Sequence, residues 1–268
     1  DEDKQPVFVP SLNGWEHGEP DLVLDVAADK KVAPDAPYAV ERFTVATGLK
    51  TAKWLRAMQL DPADRRGIRY AAIYDARNGR WLGTWTPTSK VSTMPGGAGV
   101  QLPANARLTV EVGYKGNTDA GEVSGAGDLG LYFYEKAPAQ TAQSVEIVSA
   151  AAVNVAPAKN GERVRAETTI KAATTAAAIW PRLGAGARSI EVTAIAPDGV
   201  VNPLLWVNNY RADWPTSYVM KEPVQLAAGT RLVMTAYYDN RTESPLAAKP
   251  AVSITTASPV RQPATHAP

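Results

Sequence analysis

Two stretches decide the fold: "QLPANARLTVEVGYKGNT" (Gln101–Thr118) and "QLAAGTRLVMTAYYDNRT" (Gln225–Thr242). They align without a gap. Gln, Leu, Ala, Arg, Leu, Tyr and Thr coincide at seven positions. Within each, apolar and polar residues alternate, as in "RLTVEVGY" (Arg107–Tyr114) and "RLVMTAYY" (Arg231–Tyr238). A period of two is the signature of a half-buried strand. Upstream of each lies another strand and turn, "AAIYDARNG" and "TAIAPDG", with "NG" at Asn78–Gly79 and "PDG" at Pro197–Gly199 supplying hairpin turns. A strand–turn unit that occurs twice at this spacing points to two related sandwiches in tandem.

The rest of the chain agrees. Its 268 residues carry 20 Gly and 21 Pro, which cut it into short runs. The best helical candidate, "IKAATTAAAI" (Ile170–Ile179), has threonines that fit a strand equally well. The expected fold is all-β: two antiparallel sandwiches of jelly-roll type. An N-terminal extension over 1–20 precedes a first sandwich over 21–136. An Ala- and Pro-rich connection follows over 137–162, with room for one strand at "SVEIVS". The second sandwich is expected over 163–256, and a tail without core-forming residues over 257–268.

Composition excludes several functions. Net charge is +1, with both signs mixed along the sequence, so there is no basic stripe for nucleic acid. There is no cysteine, hence no disulfide, thiolate metal site or cysteine nucleophile. No run is long and apolar enough to span a membrane as a helix. The polar start "DEDKQPVFVP" reads like the processed end of an exported protein, so a location outside the cytoplasm is the expectation. Histidine is scarce: only His17 and His266 are present. Imidazole is the usual neutral general base and transition-metal ligand, so the chain has little material for either task.

The remaining motifs carry little chemistry. "GAGDLG" (Gly125–Gly130) fits a dinucleotide pattern, but "LYFYEK" after it is a strand where a helix N-terminus is required. The carboxylates Asp61, Asp64, Asp75, Glu111, Asp213 and Asp239 show no spacing that singles out a catalytic pair. Aromatic residues concentrate in "NNYRADWPTSY" (Asn208–Tyr218). Tyr210, Trp214 and Tyr218, with Trp85, are candidate contacts to a partner or a ligand; filling a sandwich core is the other use for them.

Several stretches taken in order resemble one family. They are "GWEHGEPDLVLDV", "WLRAMQLDPADRRGIRYAAIYD", "GTWTPTSKVSTMPGGAGVQLPANARLTVEVGY", "PRLGAGARSIEVTAIAPDG", "YRADWPTSY" and "VQLAAGTRLVMTAYYDN". Together they resemble the copper type II, ascorbate-dependent monooxygenases that hydroxylate peptidylglycine and dopamine, in particular bacterial two-domain relatives. The resemblance runs from about residue 14 to 250 and implies tandem antiparallel sandwiches. It also implies one copper per domain, and here the chain departs. Where a His-His pair is expected, Arg69 and Tyr70 stand; where a further histidine precedes the tyrosine of "VEVGY", there is Gly113. In "WPRLGAGARSIEV" (Trp180–Val192), Pro181 is kept, but Arg182 and Gly184 occupy the two positions of a Pro-His-x-His motif. The methionine ligand expected after "YDN" is missing from "RTESPLAAKPAVSIT". Copper needs imidazole or thioether donors, whereas guanidinium has no lone pair to give and glycine has no side chain.

The sequence therefore reads as a monooxygenase-like sandwich protein without metal, cofactor or catalysis. Its expected role is an accessory or scaffolding subunit of a larger extracytoplasmic assembly. A membrane-embedded electron-transfer complex, respiratory or photosynthetic, is one host consistent with that role. Two alternatives stand beside it: a small-molecule or glycan-binding module using the cleft between the sandwiches, and a copper monooxygenase with relocated ligands.

Overall fold

The computed structural model describes residues 14–260 apart from 28, 29, 63, 90, 120, 125 and 126. Strands of the first half are β1 (Leu22–Val26), β2 (Lys31–Val32), β3 (Ala39–Ala46), β4 (Lys53–Pro62), β5 (Ile68–Asp75), β6 (Arg80–Trp85), β7 (Val91–Thr93), β8 (Val100–Leu102), β9 (Arg107–Tyr114), β10 (Val123–Ser124) and β11 (Gly127–Tyr134). Those of the second are β12 (Gln140–Val148), β13 (Val153–Val155), β14 (Glu162–Thr169), β15 (Thr174–Arg182), β16 (Ala187–Ile195), β17 (Val201–Asn208), β18 (Tyr218–Leu226), β19 (Arg231–Tyr238), β20 (Leu246–Ala248) and β21 (Ala251–Pro259). Among the described residues, helix is confined to one 3-10 turn, Pro95–Gly97.

The chain is all-β, and its halves repeat each other strand by strand. One sheet runs β3-β9-β5-β6, its counterpart β14-β19-β16-β17. The other runs β1-β11-β4-β7, with β8 also on β4, and its counterpart is β12-β21-β15-β18. Even the small ribbons match, β2 with β10 and β13 with β20. The repeat first visible in the sequence is the β9 and β19 hairpin arm. Asn105 and Gly229 align there, and both adopt left-handed φ, 54° and 86°. Each sits third in a turn, closed by Ala106 N–H to the Pro103 carbonyl at 3.3 Å and by Thr230 N–H to the Ala227 carbonyl at 3.1 Å. Asparagine and glycine are the residues that tolerate this region.

Alternation then sets the two cores. Leu108, Val110 and Val112 of β9 point into the first, Leu232, Met234 and Ala236 of β19 into the second. The halves also interlock. Ala142 of β12 and Ala257 of β21 belong to the first core, and the main chain of Gly99 exchanges hydrogen bonds with Gln140 and Ala142. Half of the stretch expected to connect the sandwiches is sheet, and β12 within it pairs along its whole length with β21. Its small residues mislead, because they let β12 lie close against both cores. At the C-terminal side β21 runs to Pro259, so the residues expected as a tail begin as strand; His266 lies outside the described residues.

Candidate functional site

The positions that the copper resemblance marks converge on the junction between the halves. β15 shows how. Ala176 and Ile179 face the second core, and a register shift between Ala176 and Ala178 re-aims the strand. Ala178 and Trp180 are thereby presented to the first half. There they pack with Tyr70, Ala72, Tyr74 and Trp81, with Tyr38 at the margin. Trp180 has no exposed surface. Its ring stacks on Trp81 with centroids 5.4 Å apart and lies 6.0 Å from Tyr74 and 6.4 Å from Tyr70. Its indole N–H donates to the Pro215 carbonyl at 3.4 Å.

Polar groups frame this aromatic block. The Arg182 guanidinium sits 5.1 Å from the Trp180 ring and 5.9 Å from Tyr74. It donates to the Glu146 carboxylate at 2.7 Å and to Ser253 Oγ at 3.0 Å. Across the junction the Tyr70 hydroxyl donates to Glu111 at 2.9 Å, and Glu111 is held by Arg42 Nε at 2.8 Å. A Cβ on Gly113, which pairs with Tyr70 across β9 and β5, would overlap the Tyr70 ring. Arg69 places its guanidinium 5.9 Å from the Trp214 ring. Of the five candidate positions only Gly184 stands apart, in the β15–β16 turn, where φ of 77° suits glycine. Neither arginine can coordinate a cation, and the Tyr70 hydroxyl is committed to Glu111. Among the described residues no group of three His, Cys, Asp or Glu side chains is placed to hold a metal. His17 contacts Thr93 at 3.4 Å and the edge of Tyr132.

Of the four aromatic residues offered as partner or ligand contacts, Trp85 is buried and Tyr210, Trp214 and Tyr218 are half-buried. Trp85 is buried in the first core. Tyr210 packs on the second, its hydroxyl donating to the Pro181 carbonyl and accepting from Leu183 N–H. Trp214 lies against Arg69, and half-buried Tyr218 pairs with Ile179. The loop between β17 and β18 therefore closes over the junction, with Tyr38 donating to the Ala212 carbonyl. Trp180 and Trp81 are the large aromatic residues that are buried at the junction. A run without alternation, "RWLGTW", was their signal.

No protein-family model matches this chain. No curated protein matches it either. Solved structures with a similar path include the major capsid protein P2 of bacteriophage PM2, 11% identical over 90% of this chain and 98% of that one, with a TM-score of 0.39. N-glycanase F (PNGase F) is 13% identical over 90% and 96%, also at 0.39. The VP2 subviral particle of infectious bursal disease virus is 9% identical over 89% and 71%, at 0.30. None of these is a copper monooxygenase, and likeness this faint says nothing about activity.

Burial holds the hydroxyls of Tyr70, Tyr74, Tyr38 and Tyr210 above the usual tyrosine range, and the Glu111 carboxylate pushes the first three further. A raised tyrosine pKa stabilises the fold fully below the unfolded value of about 10. That stability is lost as pH rises towards the folded value, because only the unfolded chain can ionise. Absorbance titration of the native protein should show these tyrosines silent near pH 10 and ionising together with unfolding. Normal titration of all ten tyrosines before any loss of circular dichroism would contradict the packed junction.

Proposed function

We propose that this chain is a non-catalytic scaffolding or accessory subunit that acts by binding other protein chains, outside the cytoplasm and peripheral to a membrane-associated complex. The observation that carries the reading is the fate of the copper positions. Arg69, Tyr70, Gly113 and Arg182 are built into a filled aromatic and ion-pair junction. Imidazoles there would have nowhere to converge on an open coordination site, which a catalytic metal needs. Carboxylate catalysis draws no support either: Glu111 is neutralised by Arg42, and Glu146 by Arg182. The cleft reading for a small molecule or glycan loses Trp85 and Tyr210 to the cores and Trp214 to Arg69. No described helix is long and apolar enough to cross a membrane.

Metal analysis of the purified protein is the first test. The expected result is copper far below stoichiometry even after incubation with copper and reductant. One or two coppers per chain would overturn the proposal. Gentle extraction from the native source, followed by mass analysis of co-purifying chains, is the second; a clean monomer with no companion would sink the scaffolding role.

A further inference from the structure

Strand β12 pairs with β21 on one side and ends its sheet on the other. The phase of its hydrogen bonds is fixed near its start. The Gln140 carbonyl accepts from Gly99 N–H at 3.1 Å, and Ala142 N–H donates to the Gly99 carbonyl at 2.8 Å. Gln140 and Ala142 therefore point their main chain away from β21. With a period of two, Ser144, Glu146 and Val148 do the same. Gly99 covers this edge by a single parallel bridge at Thr141, because Val100–Leu102 turns away to pair with β4. Among the described residues no strand is bonded to the edge beyond it.

A groove of about 890 Å³ runs there. Gln143, Ser144, Val145 and Glu146 all line it. Successive residues of a strand face opposite ways, so a groove that touches four in a row lies alongside the strand rather than over one face. Its facing wall is the end of β14 and the turn into β15, residues 168–174. That wall is threonine, alanine and isoleucine apart from Lys171.

We propose that this groove takes an extended peptide segment of a partner protein, which adds to the β12 edge as a further strand through the main chain of Ser144 and Glu146. The proposal rests on the reading of this chain as a protein-binding subunit and names where and how it binds. Another main chain is what offers N–H and C=O groups at the spacing of a strand edge. Charge then describes the segment. Glu146 is already neutralised by Arg182. Lys171 is exposed and has no counter-ion among the described residues. The fitting segment is thus β-prone and uncharged except for one acidic side chain within reach of Lys171. Two other edges of this half are guarded against such addition, β17 by Pro203 and β18 by Lys221 and Pro223. β12 carries no proline and no lysine.

The probe is a blocked peptide of nine residues, alternating threonine and valine with one central glutamate, added to the full chain. Amide hydrogen exchange should show Ser144 and Glu146 exchanging fast in the free chain and slowly with the peptide. Ser144→Pro removes an N–H that β21 does not use, so the fold should hold while affinity falls ten-fold or more. Lys171→Glu, a surface change, should cost about ten-fold, and a peptide with lysine in place of glutamate should recover it. No binding up to about 1 mM overturns the proposal, as does binding that survives both substitutions. Slow exchange of Ser144 and Glu146 in the free chain also overturns it, since the edge would already be covered; slowing that grows with protein concentration would make a second copy the occupant. A Ser144→Pro chain that keeps its native companions sinks this contact and leaves the scaffolding role standing. Peptide binding by a chain without companions does the reverse.

Discussion

Trp180→Ala uncouples the two halves. In calorimetry the wild-type chain should unfold in one transition, and the variant in two, the first well below the original. Trp180 is fully buried and fills the junction with Trp81, Tyr70 and Tyr74. Removing a buried indole costs about 3–5 kcal/mol, transfer and cavity together. For a chain of this size that lowers the first transition by roughly 6–20 °C. The loss spreads beyond the ring itself. Arg182 stacks on Trp180 while paired to Glu146, and opening that space wets an ion pair that had been held in place. Trp180→Phe keeps part of the stack and should fall between. Trp206→Ala is the control, since that indole is in water and its loss should cost less than about 0.5 kcal/mol. A shift below about 2 °C for Trp180→Ala would falsify the view that this side chain holds the halves together.

How legible was this in the sequence? The duplication was fully legible, because alternation and turn chemistry are local. The left-handed turn at Asn105 and Gly229 needs a residue type that can be read off directly. Strand β12 was half legible. "SVEIVS" alternates, but "QTAQ" before it holds no large apolar residue. Its Ala142 is core only because a second sandwich brings a neighbouring surface within reach. The junction itself was illegible, since the value of Trp180 depends on Trp81, a residue far along the chain whose own strand gives no alternating pattern. Trp85 and Trp81 lie four residues apart in one strand yet end in different places, one in the first core and the other under Trp180. Nothing in their flanking residues separates them. Trp206 was hidden by the opposite effect: "PLLWVN" reads like interior strand, but Leu205 and Val207 face the core while Trp206, opposite Glu191, points to the outer face and into water.

The sharpest test of the candidate site lies at Gly113. In a strand, alanine is ordinarily better than glycine by roughly 0.5–1 kcal/mol. Here Gly113→Ala should instead destabilise, because its Cβ would overlap the Tyr70 ring. That ring cannot simply swing away: its hydroxyl is bonded to Glu111, and its face meets Trp180. Overpacking of this kind costs about 1–3 kcal/mol. Tyr70→Ala alone should cost about 3–5 kcal/mol, leaving a hole beside Trp180 and the Glu111 carboxylate without its phenol. In the Tyr70→Ala background the clash is gone, so Gly113→Ala should turn neutral or stabilising. The change of sign, read from denaturant midpoints at constant m-value, is the expected signature of direct contact. If Gly113→Ala destabilises equally in both backgrounds, Tyr70 is not what the missing side chain makes room for. The cycle also bears on the copper resemblance. A side chain at position 113 and the Tyr70 ring exclude each other in this packing, so a histidine at 113 would have to displace the ring that packs against Trp180. Gly113→His by itself should therefore yield a less stable protein and no copper site.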